Sequence, residues 1–181
     1  MNKLRTLILL IIVLYSTISN AQLVHTKGSI NAGIEGSYVL DGINTGLRIN
    51  YLTGNTSMFS IYCQYEKNKF EVDDFDLIYY GIDYKYTYLN IGNWWYFDIG
   101  TGFFASNEFG NSPIFGEMNK FSIGEKVYLN VDYFINKNLY VCAFFGQRFH
   151  QLSNLGKLSW YTGVGVFYNV KKIKVTKRKI K

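Results

Sequence analysis

Proline is nearly absent from this chain, with one residue in 181. No low-complexity stretch divides the sequence either, so nothing reads as a linker and the length suits one domain. Histidine and cysteine are equally scarce, at two each. Cys63 and Cys142 lack the neighbouring ligands of a zinc site, and no glycine loop has the spacing of a phosphate cradle. No cofactor or metal is expected. Beyond the N-terminus, no run approaches the ~20 apolar residues of a membrane helix. What remains abundant is aromatic: 16 Tyr and 14 Phe, the composition of many strands bearing aromatic girdles.

The net charge of +6 is misleading. Residues 171–181, KKIKVTKRKIK, hold seven Lys or Arg, and Lys3 and Arg5 are two more. The stretch from 22 to 170 is left with ten basic against 13 acidic residues. The basicity therefore belongs to a C-terminal tail, which argues against a nucleic-acid-binding surface on the folded part. Lys3 and Arg5, the apolar stretch Leu7 to Tyr15 and the small-x-small triplet Ser19-Asn20-Ala21 read as a secretory signal over residues 1–21. The expected organisation is a signal peptide at 1–21, a barrel at 22–170 and a basic tail at 171–181.

Eight segments of about ten residues, the length of a tilted membrane strand, follow the signal. They run Lys27 to Gly36, Ile43 to Leu52, Ser57 to Glu66, Leu77 to Leu89, Trp94 to Ala105, Phe121 to Phe134, Leu139 to Phe149 and Ser159 to Val170. Tight Asn- and Gly-rich turns at 53–56, 90–93 and 135–138 alternate with longer polar connections at 67–76, 106–120 and 150–157. Such alternation is the outer-membrane pattern, with both termini in the periplasm.

The phase of each strand carries the decisive signal. One face is apolar, as in Trp160, Thr162, Val164, Val166, Tyr168 and Val170 of the last strand, and Glu125, near the loop end of its strand, is its one acidic exception. The other holds Gly33, Gly46, Gly81, Gly100, Gly102, Gly124, Gly146, Gly163 and Gly165, interspersed with Glu35, Arg48, Gln64, Asp83, Lys85, Asp98, Lys126, Asp132 and Arg148. On a face meeting water, interior glycine only weakens a strand. In an eight-stranded barrel the same face is a lumen that side chains just fill, where glycine makes room for bulky neighbours and ions must pair. The expectation is an all-β fold: an eight-stranded antiparallel up-and-down transmembrane β-barrel in contact with outer-membrane lipid. Its lumen charge network would comprise Glu35, Arg48, Asp83, Lys85, Asp98, Lys126, Asp132 and Arg148. Cys63 and Cys142 fall on opposite faces, which favours free thiols over a disulfide. The rival is a lipocalin-like soluble barrel with its apolar face inside.

Chemistry has few candidates. His150 and Ser153 could serve a lipid esterase, but an offset of three places them on opposite faces of an extended strand. Glu71, Asp73, Asp74 and Asp76 could offer oxygens to Ca²⁺, yet no EF-hand order accompanies them. No enzymatic activity is expected.

Several stretches resemble the conjugative transposon TraO family of Bacteroidetes. They are Lys27-Gly28-Ser29-Ile30-Asn31-Ala32-Gly33, Tyr80-Gly81-Ile82-Asp83-Tyr84, Asp98-Ile99-Gly100-Thr101-Gly102-Phe103, Phe121 and Gly124 continuing to Tyr133-Phe134 and Arg148, and Trp160 through Gly163-Val164-Gly165-Val166 to Tyr168. The resemblance implies a non-enzymatic outer-membrane component of a conjugative DNA-transfer apparatus, with other conjugal transfer proteins as partners. The alternative is a general outer-membrane barrel for adhesion or envelope integrity.

Overall fold

The computed structural model describes residues 26–39, 42–70, 73–92, 94–112, 116–151 and 158–171. The expected signal peptide and most of the basic tail lie outside them. Eight strands follow in order: β1 (Ile30–Val39), β2 (Gly42–Leu52), β3 (Ser57–Phe70), β4 (Asp73–Ile91), β5 (Trp95–Ser112), β6 (Gly116–Phe134), β7 (Leu139–His150) and β8 (Leu158–Lys171). Each pairs antiparallel with its sequence neighbours, and β8 returns to β1, closing the barrel. This is the transmembrane β-barrel expected from the strand phase.

Register explains why the phase can be sustained. Glu35 stands opposite Gly46 on one side and Gly165 on the other. Tyr128 lies between Gly100 and Gly146, and Phe104 between Gly81 and Gly124. Large inward groups thus have glycine as cross-strand neighbours, so eight strands can close around a filled interior. At Gly100 a Cβ would come within 2.2 Å of the Tyr128 ring.

The short turns are built locally. The Asn136 side-chain oxygen accepts from the backbone N–H groups of Asn138 and Leu139 at 2.8 and 3.0 Å, an Asx turn. Gly92 has a φ of 60°, a left-handed conformation that glycine adopts without penalty.

Strand ends depart from the sequence reading. Lys27 and Gly28 form a turn, so β1 starts at Ile30 and continues through Tyr38 to Val39. The supposed loops at 67–76 and 106–120 are mostly strand: β3 and β4 pair out to Phe70↔Asp73, and β5 and β6 to Ser112↔Gly116. His150 closes β7 rather than opening a loop. Near the short-turn end, the register moves from Thr87↔Asp98 to Leu89↔Phe97, leaving Tyr88 as a bulge.

The candidate functional site: a filled lumen and an apolar wall

Every member of the expected lumen network is buried: Glu35, Arg48, Asp83, Lys85, Asp98, Lys126, Asp132 and Arg148. They form three groups along the axis. Nearest the short turns, the Lys85 ammonium lies 3.0 Å from Asp98 and 2.8 Å from Asp132. Asn130 donates to both carboxylates at 2.9 and 2.7 Å, and Thr87 donates to Asp98 at 2.6 Å.

The middle group centres on Asp83. It accepts from Arg48, takes the Lys126 ammonium at 3.0 Å and receives the Tyr128 hydroxyl at 3.3 Å. Arg48 also meets Glu35 at 2.5 Å. Lys126 stands 3.6 Å from the centre of the Tyr62 ring, a cation–π contact.

In the third group Arg148 pairs with Glu66 at 2.6 Å and lies between the rings of Tyr79 and Tyr161, at 4.4 and 4.6 Å. Asn44 and Asn68 donate to the same carboxylate at 3.2 and 2.8 Å. Gln64 ties the middle group to the third, donating to Glu35 at 2.9 Å and accepting from Arg148 at 3.5 Å. Buried ions are tolerable only when paired and hydrogen-bonded in this way.

Glu66 was missing from the network read in the sequence, although it shares the inward phase of Gln64. Glu108 is also buried; it went unnoticed because the sequence reading ended its strand at Ala105.

Below the charges an aromatic plug fills the lumen. Tyr96, Phe134, Tyr140 and Phe167 pack in succession at 5.2, 4.7 and 5.0 Å between ring centres. Between the layers, a void lined by Glu35, Arg48, Lys85 and Phe144 measures about 20 Å³, room for one water molecule. The interior is therefore a solid core rather than a pore.

The outer wall has the opposite character. Ile34, Leu129 and Val164 are 61, 53 and 64% exposed. Trp95 and Tyr133 pack side by side near the short turns, their ring centres 4.6 Å apart. Polar residues inside and large apolar groups outside invert a soluble protein and exclude the lipocalin-like alternative. A charge on this wall should be costly. Leu129→Arg is expected to destabilise the barrel by about 2–4 kcal/mol, the range for Arg facing mid-membrane lipid, as read by urea unfolding in lipid vesicles. An unchanged midpoint would show that water reaches Leu129. Glu125 does face outward, between Phe103 and Phe149. It lies nine residues inside β6 rather than near its end, because β6 starts at Gly116.

The residues considered for chemistry are only partly described. Ser153 and Glu71 lie outside the described residues. His150 points inward, packs on Phe104 and Tyr79 at 5.0 and 6.1 Å, and lies 3.3 Å from the Ser159 hydroxyl. Among the described residues no three His, Cys, Asp or Glu groups form a metal site. Cys63 is exposed on the wall and Cys142 buried in the lumen, so both thiols are free.

No protein-family model and no curated protein sequence matches the chain. Solved structures do. The N-terminal β-barrel domain of OprF from Pseudomonas aeruginosa aligns with a TM-score of 0.63 at 16% identity, covering 79% of this chain and 98% of that one. Neisserial surface protein A (NspA) aligns with a TM-score of 0.63 at 19% identity, covering 78% and 96%. Ail, the attachment invasion locus protein of Yersinia pestis, gives 0.51 at 16% identity, covering 78% and 99%. At these identities the similarity is one of fold, and the fold shared is that of eight-stranded membrane barrels.

Proposed function

We propose that the protein resides in the outer membrane and serves as a non-enzymatic anchor in a conjugative DNA-transfer apparatus. The observation that carries the anchor role is the filled lumen. Among the described residues, three ion-paired layers and an aromatic plug fill the inside of the eight strands, a width that gives DNA no passage. A rigid body in lipid can still hold partners through its long-hairpin end or through segments at the short-turn end, where β1 begins and β8 ends. The link to transfer rests on the resemblance of Asp98–Phe103 and Trp160–Tyr168 to the TraO family, with other transfer proteins as the partners that follow from it.

Deleting the gene is expected to lower mating frequency at least tenfold, with recovery when the intact gene is returned. Unchanged transfer would reject the conjugative role and leave the barrel intact. A second reading, surface attachment, is favoured by the β5–β6 hairpin, which extends well beyond the end of β7. It predicts normal mating but reduced adhesion in the deletion strain.

A further inference from the structure

Glu125 is an exposed carboxylate on an otherwise apolar stretch of wall, and its height can be read along β6. It stands eight residues from Tyr133, which packs on Trp95 near the short turns. A strand tilted by about 40° rises roughly 2.5 Å per residue, so Glu125 lies about 20 Å above that aromatic pair. The apolar band of such a barrel is about 25 Å tall. Glu125 therefore sits near its upper boundary, where lipid headgroups begin. Phe103 and Phe149 flank it on β5 and β7. With Trp160, near the long-loop end of β8, they make the second aromatic belt.

Just below the carboxylate the wall is hollowed. Ile99, Val127, Leu129, Phe145, Gln147 and Trp160 line a groove of about 260 Å³. Val127 is the next outward residue after Glu125 on β6, and Gln147 is its partner across the ladder. Trp160 lies opposite Gln147 and stacks on Phe145, with ring centres 5.3 Å apart, which makes one bank. Ile99, opposite Leu129, makes the other. Between them Tyr128 turns its ring into the lumen and its partner Gly146 has no side chain, so the floor is backbone. The groove is thus apolar along its length and polar only at the Gln147 end, beside Glu125.

The occupant follows from this arrangement. A carboxylate between two phenylalanines at headgroup depth loses hydration and is stabilised by a cation. A second copy of this chain has none to offer. Among the described residues, no Lys or Arg faces outward between the two belts. A lipid headgroup does supply one at this height. A primary ammonium has three N–H donors, enough to meet the Glu125 carboxylate and the Gln147 side-chain oxygen together. The acyl chain attached to it then descends along the wall, which is the direction of the groove.

We infer that this groove binds one membrane lipid, its acyl chain lying along Val127 and Leu129 and the ammonium of its headgroup held by Glu125 and Gln147. The inference needs only a barrel in a membrane and is independent of the transfer role.

The test is native mass spectrometry of the full-length protein, folded in a non-ionic detergent and titrated with phosphatidylethanolamine, phosphatidylcholine or phosphatidylglycerol of matched chains. The first phosphatidylethanolamine is expected to bind about tenfold more tightly than either of the others, the scale of one charge-assisted hydrogen bond. Choline has no N–H to donate, and the glycerol headgroup brings no cation. Glu125→Gln should abolish the preference. Val127→Trp, which fills the groove and leaves Glu125 in place, should weaken the first phosphatidylethanolamine by about tenfold as well. Heat-modifiable mobility shows that each variant is a folded barrel. Equal binding of the three lipids to the wild-type protein would overturn the inference without recourse to any variant. So would a preference that survives Glu125→Gln, or a first site unchanged in Val127→Trp. Phosphatidylglycerol binding first, and only with Mg²⁺ present, would put a metal-bridged phosphate in place of the ammonium and overturn it too.

Discussion

Replacing Asp83 with alanine is expected to lower the unfolding free energy by about 3–5 kcal/mol, the range for removing one partner of a buried ion pair. Asp83 is the carboxylate shared by Arg48 and Lys126, and its side chain is wholly enclosed. Arg48 keeps Glu35, but Lys126 is left against the faces of Tyr62 and Tyr128. An ammonium enclosed without its bonded counter-ion is the costly product. Urea unfolding in lipid vesicles, followed by tryptophan fluorescence, measures the loss. Lys67→Ala, on the exposed outer face, is the control and should change stability by less than about 0.5 kcal/mol. A loss below about 1 kcal/mol for Asp83→Ala would mean that the lumen is wet and its charges screened.

The second large effect comes from adding volume rather than removing charge. At Gly81 a Cβ would lie 2.4 Å from the Phe103 carbonyl oxygen and 2.5 Å from the Tyr62 hydroxyl. The first contact is backbone of the paired strand and cannot move aside without opening the β4–β5 ladder. Gly81→Val is expected to destabilise by about 3 kcal/mol, the upper part of the usual range for overpacking, or to prevent refolding into vesicles. Gly36→Val is the matched control. Gly36 faces the outer wall, where the nearest atom to a Cβ is the Asn44 carbonyl oxygen at 4.0 Å, and a β-branched residue suits a strand. Equal tolerance of both substitutions would contradict the assignment of inside and outside.

How much of this was legible depends on the solvent each strand segment faces. Where the wall meets lipid, every second residue must be apolar, so segments such as Leu139 to Phe149 announce themselves. Beyond the apolar band both faces of the sheet can be polar. The alternation then fades, and strands such as Ser106–Ser112 and Gly116–Lys120 read as loops. The same fading hid Glu108 and made Glu125 look terminal. The bulge at Tyr88 had no local signal, since one extra residue in a Tyr-rich run leaves the composition unchanged.

The network shows a similar division. Inward phase placed Arg48, Asp83 and Lys126 in the lumen, but phase cannot say which cation meets which carboxylate. Arg148 pairs with Glu66, 82 residues away in the chain, and only the closure of β8 on β1 brings such strands around a shared axis. His150 and Ser159 likewise meet across β7 and β8, whereas the Ser153 considered from sequence was chosen for nearness along the chain.

What the sequence by itself determined was the sidedness of the sheet, because a period of two with glycine and ions in one phase can satisfy both lipid and a narrow interior in only one way. The tertiary structure decided the pairing of the ions and the unequal heights of β6 and β7. Both depend on register between strands distant in the chain, and register is set by closure of the whole barrel rather than by any local run of residues.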